Sequence, residues 1–191
     1  MSIYGFILGI CFVIGMEFFS RRNKIIPKNK ETLFLVSLLF FSLIGARAYE
    51  VADNWKYYLQ FPLEIFNTRA GGLGIYGGLL FGIIFLFIYS KINKISLLKI
   101  TDLLVPIIPL GQSIGRFGNF SNTEVFGIPT YLKFGQFIPE NLRPLQYQNY
   151  SFFHPVWLYE SILDFVLFLI LIKSKNNQTA KYLIGYGLIR F

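Results

Sequence analysis

Long apolar runs separated by short clusters of lysine and arginine limit what this chain can fold into. Each run approaches the roughly 20 residues that a helix needs to cross a bilayer. The five complete runs cover residues 3–19, 33–51, 71–90, 97–115 and 155–172. Charged residues make up 15% of the chain, whereas about 25% is usual in a soluble domain. The pattern therefore predicts an all-α, polytopic membrane helix bundle.

The basic residues predict how these runs are oriented. Of the 18 Lys and Arg residues, 11 fall in three clusters at residues 21–30, 91–99 and 173–181, and 4 fall in the segments that alternate with them. The positive-inside rule places the three clusters in the cytoplasm and the N-terminus outside. The same clustering explains the net charge of +8 without nucleic-acid binding.

The two ends of the chain complete the predicted topology. No Lys or Arg precedes the first run, so we expect a retained helix and not a cleaved signal peptide. Residues 180–191 begin a sixth run that stops early, so the last span is expected to be incomplete and the C-terminus truncated. We expect residues 1–191 to form a single transmembrane domain. Within it, residues 118–154 should form a folded, extracytoplasmic, aromatic-rich loop.

Glycines at helical spacing predict where helices pack closely. Such spacing occurs at Gly5 and Gly9, at Gly74, Gly78 and Gly82, and at Gly111 and Gly115. Tyr76 lies about 200° around the helix from the middle stripe. Pro106 and Pro109 are expected to kink the run at residues 97–115, which neighbouring helices can tolerate.

The densest polar stretch follows the fourth complete run. Arg116 comes at the end of this run, and Asn119 and Glu124 follow within eight residues. A cation near lipid is costly unless it is paired. A planar guanidinium in such a place favours a phosphate or a carboxylate as its partner.

Two further arginines lie within or at the ends of runs. Arg190 is about 15 Å into the last run at 1.5 Å per residue, so it should face the bundle interior. Arg116 and Arg190 together could bind a phospholipid phosphate, or each could pair with an acid such as Glu124 or Glu160; spacing does not decide between these. Arg47 could pair with Glu50, three residues away, or extend to the membrane interface.

Several chemistries are disfavoured by composition. His154 is the only histidine, so no Ser-His-Asp set can be assigned. Cys11 is the only cysteine, and the lack of clustered His and Cys disfavours a metal site. No Gly-x-x-x-x-Gly-Lys phosphate loop is present. We therefore expect no metal and no cofactor.

A family resemblance rests on the polar stretch and on motifs in the same order along the chain. Gly115–Phe120, with Asn122, Glu124 and Gly127, closely resembles the signature of prolipoprotein diacylglyceryl transferases. The other matching motifs are Tyr4-Gly5, Gly45-Ala46-Arg47, Gly71–Leu79, His154-Pro155 with Leu158–Glu160, and Gly185–Gly187 with Arg190-Phe191. The resemblance covers essentially the whole chain.

The resemblance implies a transferase of lipoprotein biosynthesis, in the bacterial plasma (inner) membrane and multi-pass. Members transfer diacylglyceryl from phosphatidylglycerol to the lipobox cysteine thiol of a prolipoprotein. A thioether forms and glycerol 1-phosphate leaves. Phosphatidylglycerol, the prolipoprotein signal peptide and membrane lipids are the implied partners. The alternative is a non-catalytic polytopic protein that binds or flips phospholipid.

The resemblance also implies a set of site residues. The family's essential arginines match Arg116 and Arg190, and Glu124 and Tyr76 join them as catalytic candidates. The residues implied to bind phosphatidylglycerol are Arg116, Asn119, Gly127, Arg190, Tyr4, Tyr186 and Glu160.

Tyr76 departs from the pattern of the family. Many members carry at this position a histidine that has been considered a base. A phenol is a poor base at neutral pH. Tyr76 is therefore expected to orient or hydrogen-bond the substrate.

Overall fold

Helices make up most of the chain that the structure describes. The computed structural model describes residues 3–67, 72–131 and 134–190, with side chains for all of these except residues 3, 4 and 8. The helices are α1 (Ile3–Arg22), α2 (Lys28–Asp53), α3 (Trp55–Gln60), α4 (Ile75–Asn93), α5 (Leu97–Leu104), α6 (Ile107–Ser121), α7 (Val156–Lys173) and α8 (Gln178–Arg190). Two short strands, β1 (Gln136–Phe137) and β2 (Phe152–Phe153), pair antiparallel.

Within the described residues, three helical segments are long and apolar enough to cross a membrane. They are Lys28–Asp53, Ile75–Asn93 and Leu97–Ser121, the last of which joins α5 and α6. Their surfaces are rich in exposed Leu, Ile, Val and Phe, as lipid-facing helices require. The predicted helical membrane protein is confirmed at this level. The number of spans and the side on which the N-terminus lies stay predictions.

Prolines break the Leu97–Ser121 segment where the sequence predicts a kink. Helix α5 ends at Leu104 and α6 begins at Ile107. Pro106 has no backbone N–H to continue the helical ladder, so the chain restarts with Ile108 N–H donating to Val105 O at 3.1 Å. Both Pro106 and Pro109 are fully buried, which shields the interrupted backbone.

The chain divides into two compact units, one of which is Asn23–Thr101. Here α2 packs on α4 through the predicted glycines. A Cβ added to Gly74 would lie 2.4 Å from Tyr49 Cδ1, and one added to Gly82 would lie 2.9 Å from Ser42 Oγ. The closest approach involves Gly77, where an added Cβ would lie 2.1 Å from Gly45 O. A side chain at these positions would push the two helices apart.

The second unit contains α1 and the chain from Asp102 onward. In it α6 packs against α1 and α7, and α8 packs against α7. The predicted close approach at Gly9, Gly111 and Gly115 is wrong for the part of the chain that the structure describes, because a Cβ added to any of them meets no atom of that part within 4 Å. Helical spacing of glycines allows close packing but does not choose the face that a neighbour occupies.

The connection between α6 and α7 is folded, although α6 runs further into it than the sequence predicts. The register of β1 and β2 pairs Gln136 with Phe153 and Phe137 with Phe152. Phe153 and Ile138 are fully buried, and Phe126 packs edge-on against Phe153 at 5.2 Å between ring centroids. Aromatic side chains thus give this loop a core of its own.

Candidate functional site

Two arginines meet on one carboxylate in the second unit. Helix α6 carries Arg116 near its C-terminal end, α7 carries Glu160 in its second turn, and α8 carries Arg190 as its last residue. Arg116 Nη2 lies 2.7 Å from Glu160 Oε2, and Arg190 Nη1 lies 2.6 Å from Glu160 Oε1. Glu160 therefore bridges the two guanidinium groups, one through each oxygen. These three residues form what we call the two-arginine cluster.

The cluster is closed on one side and open on the other. The Arg116 and Glu160 side chains are 18% and 12% exposed, whereas the Arg190 side chain is 53% exposed. A guanidinium has five N–H donors in a fixed fork, so each arginine keeps donors beyond the contact with Glu160. The bridge holds the guanidinium groups together while the remaining donors of Arg190 can reach an incoming anion.

Of the two alternatives that the sequence left open, the structure shows pairing with an acid, and phosphate binding stays a prediction. The arginines converge, as a phosphate clamp requires, and both also pair with an acid. That acid is Glu160, whereas Glu124 forms none of the ion pairs found in residues 3–67, 72–131 and 134–190. Spacing could not choose between these acids because the choice depends on how α7 faces α6.

Asp164 adds a second carboxyl group one helical turn after Glu160. It is fully buried, and neither of its carboxylate oxygens has a hydrogen-bond partner among the described residues. Its charge interacts with those of Arg116, Glu160 and Arg190. A carboxyl group buried without a hydrogen bond is costly, and Arg116 and Arg190 lower that cost whereas Glu160 adds to it. The described ranges hold no group of three or more His, Cys, Asp or Glu side chains suited to a metal ion.

Glu124 is held in a tight turn just after α6. Asn119 Nδ2 donates to Glu124 Oε2 at 3.1 Å, and Asn122 Nδ2 donates to Glu124 Oε1 at 3.4 Å. Glu124 N–H itself donates to Asn119 O at 2.8 Å. The residues on either side, Thr123 and Val125, have φ of 58° and 56°. Such left-handed backbone is unfavourable for β-branched residues, so the turn stores strain around one fixed carboxylate.

The strain at Val125 can be measured by substitution. A left-handed conformation costs an L-residue with a Cβ about 1–2 kcal/mol and costs glycine nothing. Val125→Gly is therefore expected to be more stable than Val125→Ala by about 1 kcal/mol. Thermal unfolding of the two variants in the same detergent checks this. Equal stabilities, or a more stable alanine variant, would contradict the strained turn.

Gly127 fixes how this turn meets the start of α7. Its N–H donates to His154 O at 2.8 Å, and an added Cβ would lie 2.9 Å from Val156 Cγ2. Close backbone approach is thus the physical reason for glycine here. His154 Nδ1 lies 3.1 Å from the hydroxyl of Tyr159, and the hydroxyl and imidazole share a hydrogen bond.

A pair of buried serines joins α6 to α7 beside the two-arginine cluster. Ser113 and Ser161 are 5% and 4% exposed. Their hydroxyl oxygens are 3.2 Å apart, and Ser161 Oγ donates to Ser113 O at 2.9 Å. Ser113 precedes Arg116 by one turn and Ser161 follows Glu160. Sequence reasoning missed this pair, although two serines inside apolar helices were a usable signal.

We expect Ser161→Ala to lower the free energy of unfolding by about 0.6–1.7 kcal/mol, the range for hydrogen bonds between helices in membranes. Two hydrogen bonds to α6 are lost together. Unfolding of Ser121→Ala provides the control, since Ser121 is exposed and the one side-chain hydrogen bond it makes to described residues is within its own helix, to Phe117 O. The same stability for both variants would show that the serine pair contributes nothing to the α6–α7 contact.

The three tyrosines that the resemblance implied lie in different surroundings. Tyr186 stacks on Tyr182 with 5.6 Å between ring centroids and packs on the buried core of the second unit. Tyr182 hydroxyl in turn donates to Gln112 Oε1 at 3.3 Å. Tyr76, in the first turn of α4, is 70% exposed, and its ring lies 6.0 Å from that of Tyr49. The side chain of Tyr4 lies outside the described residues.

One capping interaction on the helix that carries Arg190 was also missed. Asp102 Oδ1 accepts hydrogen bonds from Thr179 N at 2.8 Å and from Thr179 Oγ1 at 2.6 Å. The carboxylate therefore caps the N-terminus of α8. This fixes the start of the helix that carries Arg190. A cap from 77 residues away leaves no local sequence pattern.

The fold and the cluster together define a class: a helical membrane protein whose polar site is built around two arginines. The particular family follows from comparison with known proteins. The model of the prolipoprotein diacylglyceryl transferase family matches residues 1–191, and the chain belongs to this family.

Relatives named phosphatidylglycerol–prolipoprotein diacylglyceryl transferase are similar over nearly the whole chain. One from Prochlorococcus marinus (strain MIT 9312) is 40% identical, and the match covers 98% of this chain and 72% of the relative. One from Bacillus cytotoxicus is 38% identical over 98% of this chain and 73% of the relative. One from Synechocystis sp. is 37% identical over 98% of this chain and 71% of the relative.

Proposed function

We propose that this protein transfers the diacylglyceryl group of phosphatidylglycerol to a cysteine thiol of a prolipoprotein. The observation that carries the proposal is the pair of arginines converging on Glu160 in a chain that belongs to the transferase family. The phosphate of phosphatidylglycerol is the anion that suits such a pair. The thiol is supplied by the lipobox cysteine of the prolipoprotein signal peptide.

The reaction is a displacement at a glycerol carbon. The thiol sulfur forms a C–S bond to the terminal carbon of the diacylglyceryl group, and the bond from that carbon to the phosphate oxygen breaks. Glycerol 1-phosphate leaves with the electron pair, and the thiol proton passes to a base or to water. Negative charge grows on the phosphate as it departs, so cations fixed beside it lower the barrier.

The proposed site residues fall into two groups: those that contact the phosphate, and those that hold the contacting residues or the substrate in position. Arg116 and Arg190 bind the phosphate, and Arg190 offers the more open donors. Glu160 acts by holding both guanidinium groups at one site. Asn119 and Gly127 hold the turn that presents Glu124, and a fixed carboxylate there polarises the substrate. Tyr4 and Tyr186 support the lipid, and Tyr76 orients substrate.

The protein works as one multi-pass domain of the bacterial plasma membrane. Six spans, with the N-terminus outside, place the loop at residues 118–154 and the turn containing Glu124 on the outer face. The distribution of Lys and Arg supports this orientation. Lipid and the secreted substrate then reach the cluster from the same side.

Labelling of single cysteines checks this topology. In a Cys11→Ala background, Asn141→Cys should react with a membrane-impermeant maleimide in intact cells, because it lies in the outer loop. Asn93→Cys should react after permeabilisation, because it lies at a cytoplasmic turn. Labelling of Asn93→Cys in intact cells would overturn the proposed orientation.

Consumption of phosphatidylglycerol tests the function itself. The purified protein should consume labelled phosphatidylglycerol when a lipobox peptide is present and none when the peptide's cysteine is replaced by serine. Diacylglyceryl should appear on the cysteine peptide in equal amount. Binding of phosphatidylglycerol with no consumption in either case would favour the lipid-binding or lipid-flipping alternative.

A further inference from the structure

Arg47, near the C-terminal end of α2, is a buried arginine outside the two-arginine cluster. It is 8% exposed. Its Nε donates to Ile65 O at 2.8 Å and its Nη1 donates to Gly72 O at 2.8 Å. Its Nη2 donates to Glu64 O and, at 3.3 Å, to Asn67 O. Four backbone carbonyls of the α3–α4 connection thus receive donors from one guanidinium.

The surroundings of Arg47 suit a structural arginine and not a phosphate-binding one. Its guanidinium carbon lies 5.1 Å from the centroid of the Tyr58 ring, which covers one face of the group. Carbonyl oxygens carry partial negative charge and satisfy the donors at short range. A phosphate would have to displace these carbonyls. Among the described residues no ion pair joins Arg47 to Glu50, the first of the two sequence alternatives. Extension of Arg47 to the membrane interface, the second, stays a prediction.

The four carbonyls that accept from Arg47 come from two parts of the connection that are separated in sequence by residues 68–71. Glu64, Ile65 and Asn67 come before these residues and Gly72 comes after them. Gly72 has φ of 72°, and a Cβ added there would lie 2.6 Å from Arg47 Nη1. Glycine at this position is therefore required both by the backbone and by the guanidinium. Arg47 draws the two sides of the connection onto the end of α2.

The start of α4 is fixed by the same region of α2. Gly74 N–H donates to Ala46 O at 2.9 Å, and Ala46 directly precedes Arg47 in sequence. Two residues later, the Tyr76 ring lies 6.0 Å from the Tyr49 ring. The connection held by Arg47 therefore leads, within four residues of Gly72, to the tyrosine that the proposed function gives an orienting role.

We propose that Arg47 is a positioning residue that holds the α3–α4 connection through its backbone carbonyls and thereby places Tyr76 at the start of α4. This proposal rests on the proposed transferase function for its effect on the reaction. Its structural part, the ordering of the connection, stands independently. A lysine cannot replace the arginine, because one ammonium cannot reach carbonyls spread over a planar fork.

Two substitutions that act on the same contact test the proposal. Arg47→Lys keeps the charge and removes the fork, and Gly72→Ala keeps Arg47 and inserts a methyl group against Nη1. Amide hydrogen exchange of Gly74 and Asn67 should accelerate about tenfold or more in both variants. The rate of diacylglyceryl transfer at saturating phosphatidylglycerol should fall about tenfold, while the KM for phosphatidylglycerol stays within about twofold.

Matched controls separate this effect from general damage. Arg21→Lys alters an exposed arginine paired with Glu17, and Gly9→Ala adds a methyl group where no atom of the described residues lies within 4 Å. In both control variants, the amide hydrogen exchange of Gly74 and Asn67 and the rate of diacylglyceryl transfer should match those of the original protein. If Arg47→Lys fails to fold, Gly72→Ala gives the same readouts with every charge in place.

Different failures have different meanings. An unchanged exchange rate with a raised KM for phosphatidylglycerol in Arg47→Lys would overturn the proposal and make Arg47 a phosphate-binding residue. The proposal would also be overturned if Gly72→Ala showed the amide exchange rates and the transfer rate of the original protein. Accelerated exchange with no transfer by the original protein would leave the ordering role supported and overturn the transferase function.

Discussion

Replacing Arg116 by alanine is expected to lower the rate of diacylglyceryl transfer by about a hundredfold to a thousandfold. In the proposed reaction, the substitution removes a largely buried cation from the place where phosphate charge grows, and loss of one such donor typically costs this much. Arg116→Lys should recover only a small part of the rate, because a point charge cannot bind phosphate through two parallel hydrogen bonds. Thioether product measured by mass spectrometry of the peptide checks both variants.

The control for Arg116 is Arg21→Ala. Arg21 is on α1, 77% exposed in its side chain, and paired with Glu17 four residues away. Its loss should change transfer by less than about twofold, since exposed pairs contribute little. Transfer by Arg116→Ala at the rate of Arg21→Ala would remove Arg116 from the reaction.

Replacing Glu160 by glutamine is expected to separate catalysis from lipid binding. Without the bridging carboxylate, two guanidinium groups lie close together with no anion between them, so their geometry relaxes. Transfer should fall about tenfold to a hundredfold, whereas affinity for phosphatidylglycerol should hold or rise, because the phosphate no longer competes with a carboxylate. The free energy of unfolding should fall by about 2 kcal/mol, less than for a fully buried pair, since Arg190 is half exposed.

Lipid binding and single-turnover transfer should be measured on the same preparation of Glu160→Gln. Glu17→Gln, which breaks an exposed ion pair on α1, serves as its control and should behave like the original protein. A loss of phosphatidylglycerol binding in proportion to the loss of transfer would mean that Glu160 contacts the lipid. It would then not be the residue that positions the arginines.

Hydropathy predicted most helices because burial in lipid acts on each segment separately. The helix ends were less predictable. The second run was expected to begin at Leu33, whereas α2 begins at Lys28, directly after Pro27. Apolar periodicity shows where the lipid-facing part of a helix lies, but the chain around it decides where the backbone hydrogen bonds stop.

Some residues of the candidate site could also be predicted from the sequence, whereas the contacts between them could not. Arg116 and Arg190 stand out in sequence because isolated cations among apolar residues need partners. Their shared partner Glu160, the Ser113–Ser161 pair and the cap on α8 from Asp102 all depend on contacts between distant parts of the chain. Gly111 and Gly115 show the converse error, since a local spacing suggested a contact that the described residues do not make.

The central claim is that a thiol displaces a phosphate ester at a glycerol carbon, and the fate of one oxygen tests it most directly. Phosphatidylglycerol can be prepared with ¹⁸O in the bridge between the diacylglyceryl carbon and phosphorus, then incubated with the protein and a lipobox peptide. Cleavage of the carbon–oxygen bond predicts that the released glycerol 1-phosphate carries the whole label and that the peptide thioether carries none. Label remaining with the diacylglyceryl group would mean that the phosphorus–oxygen bond breaks, and would contradict the displacement.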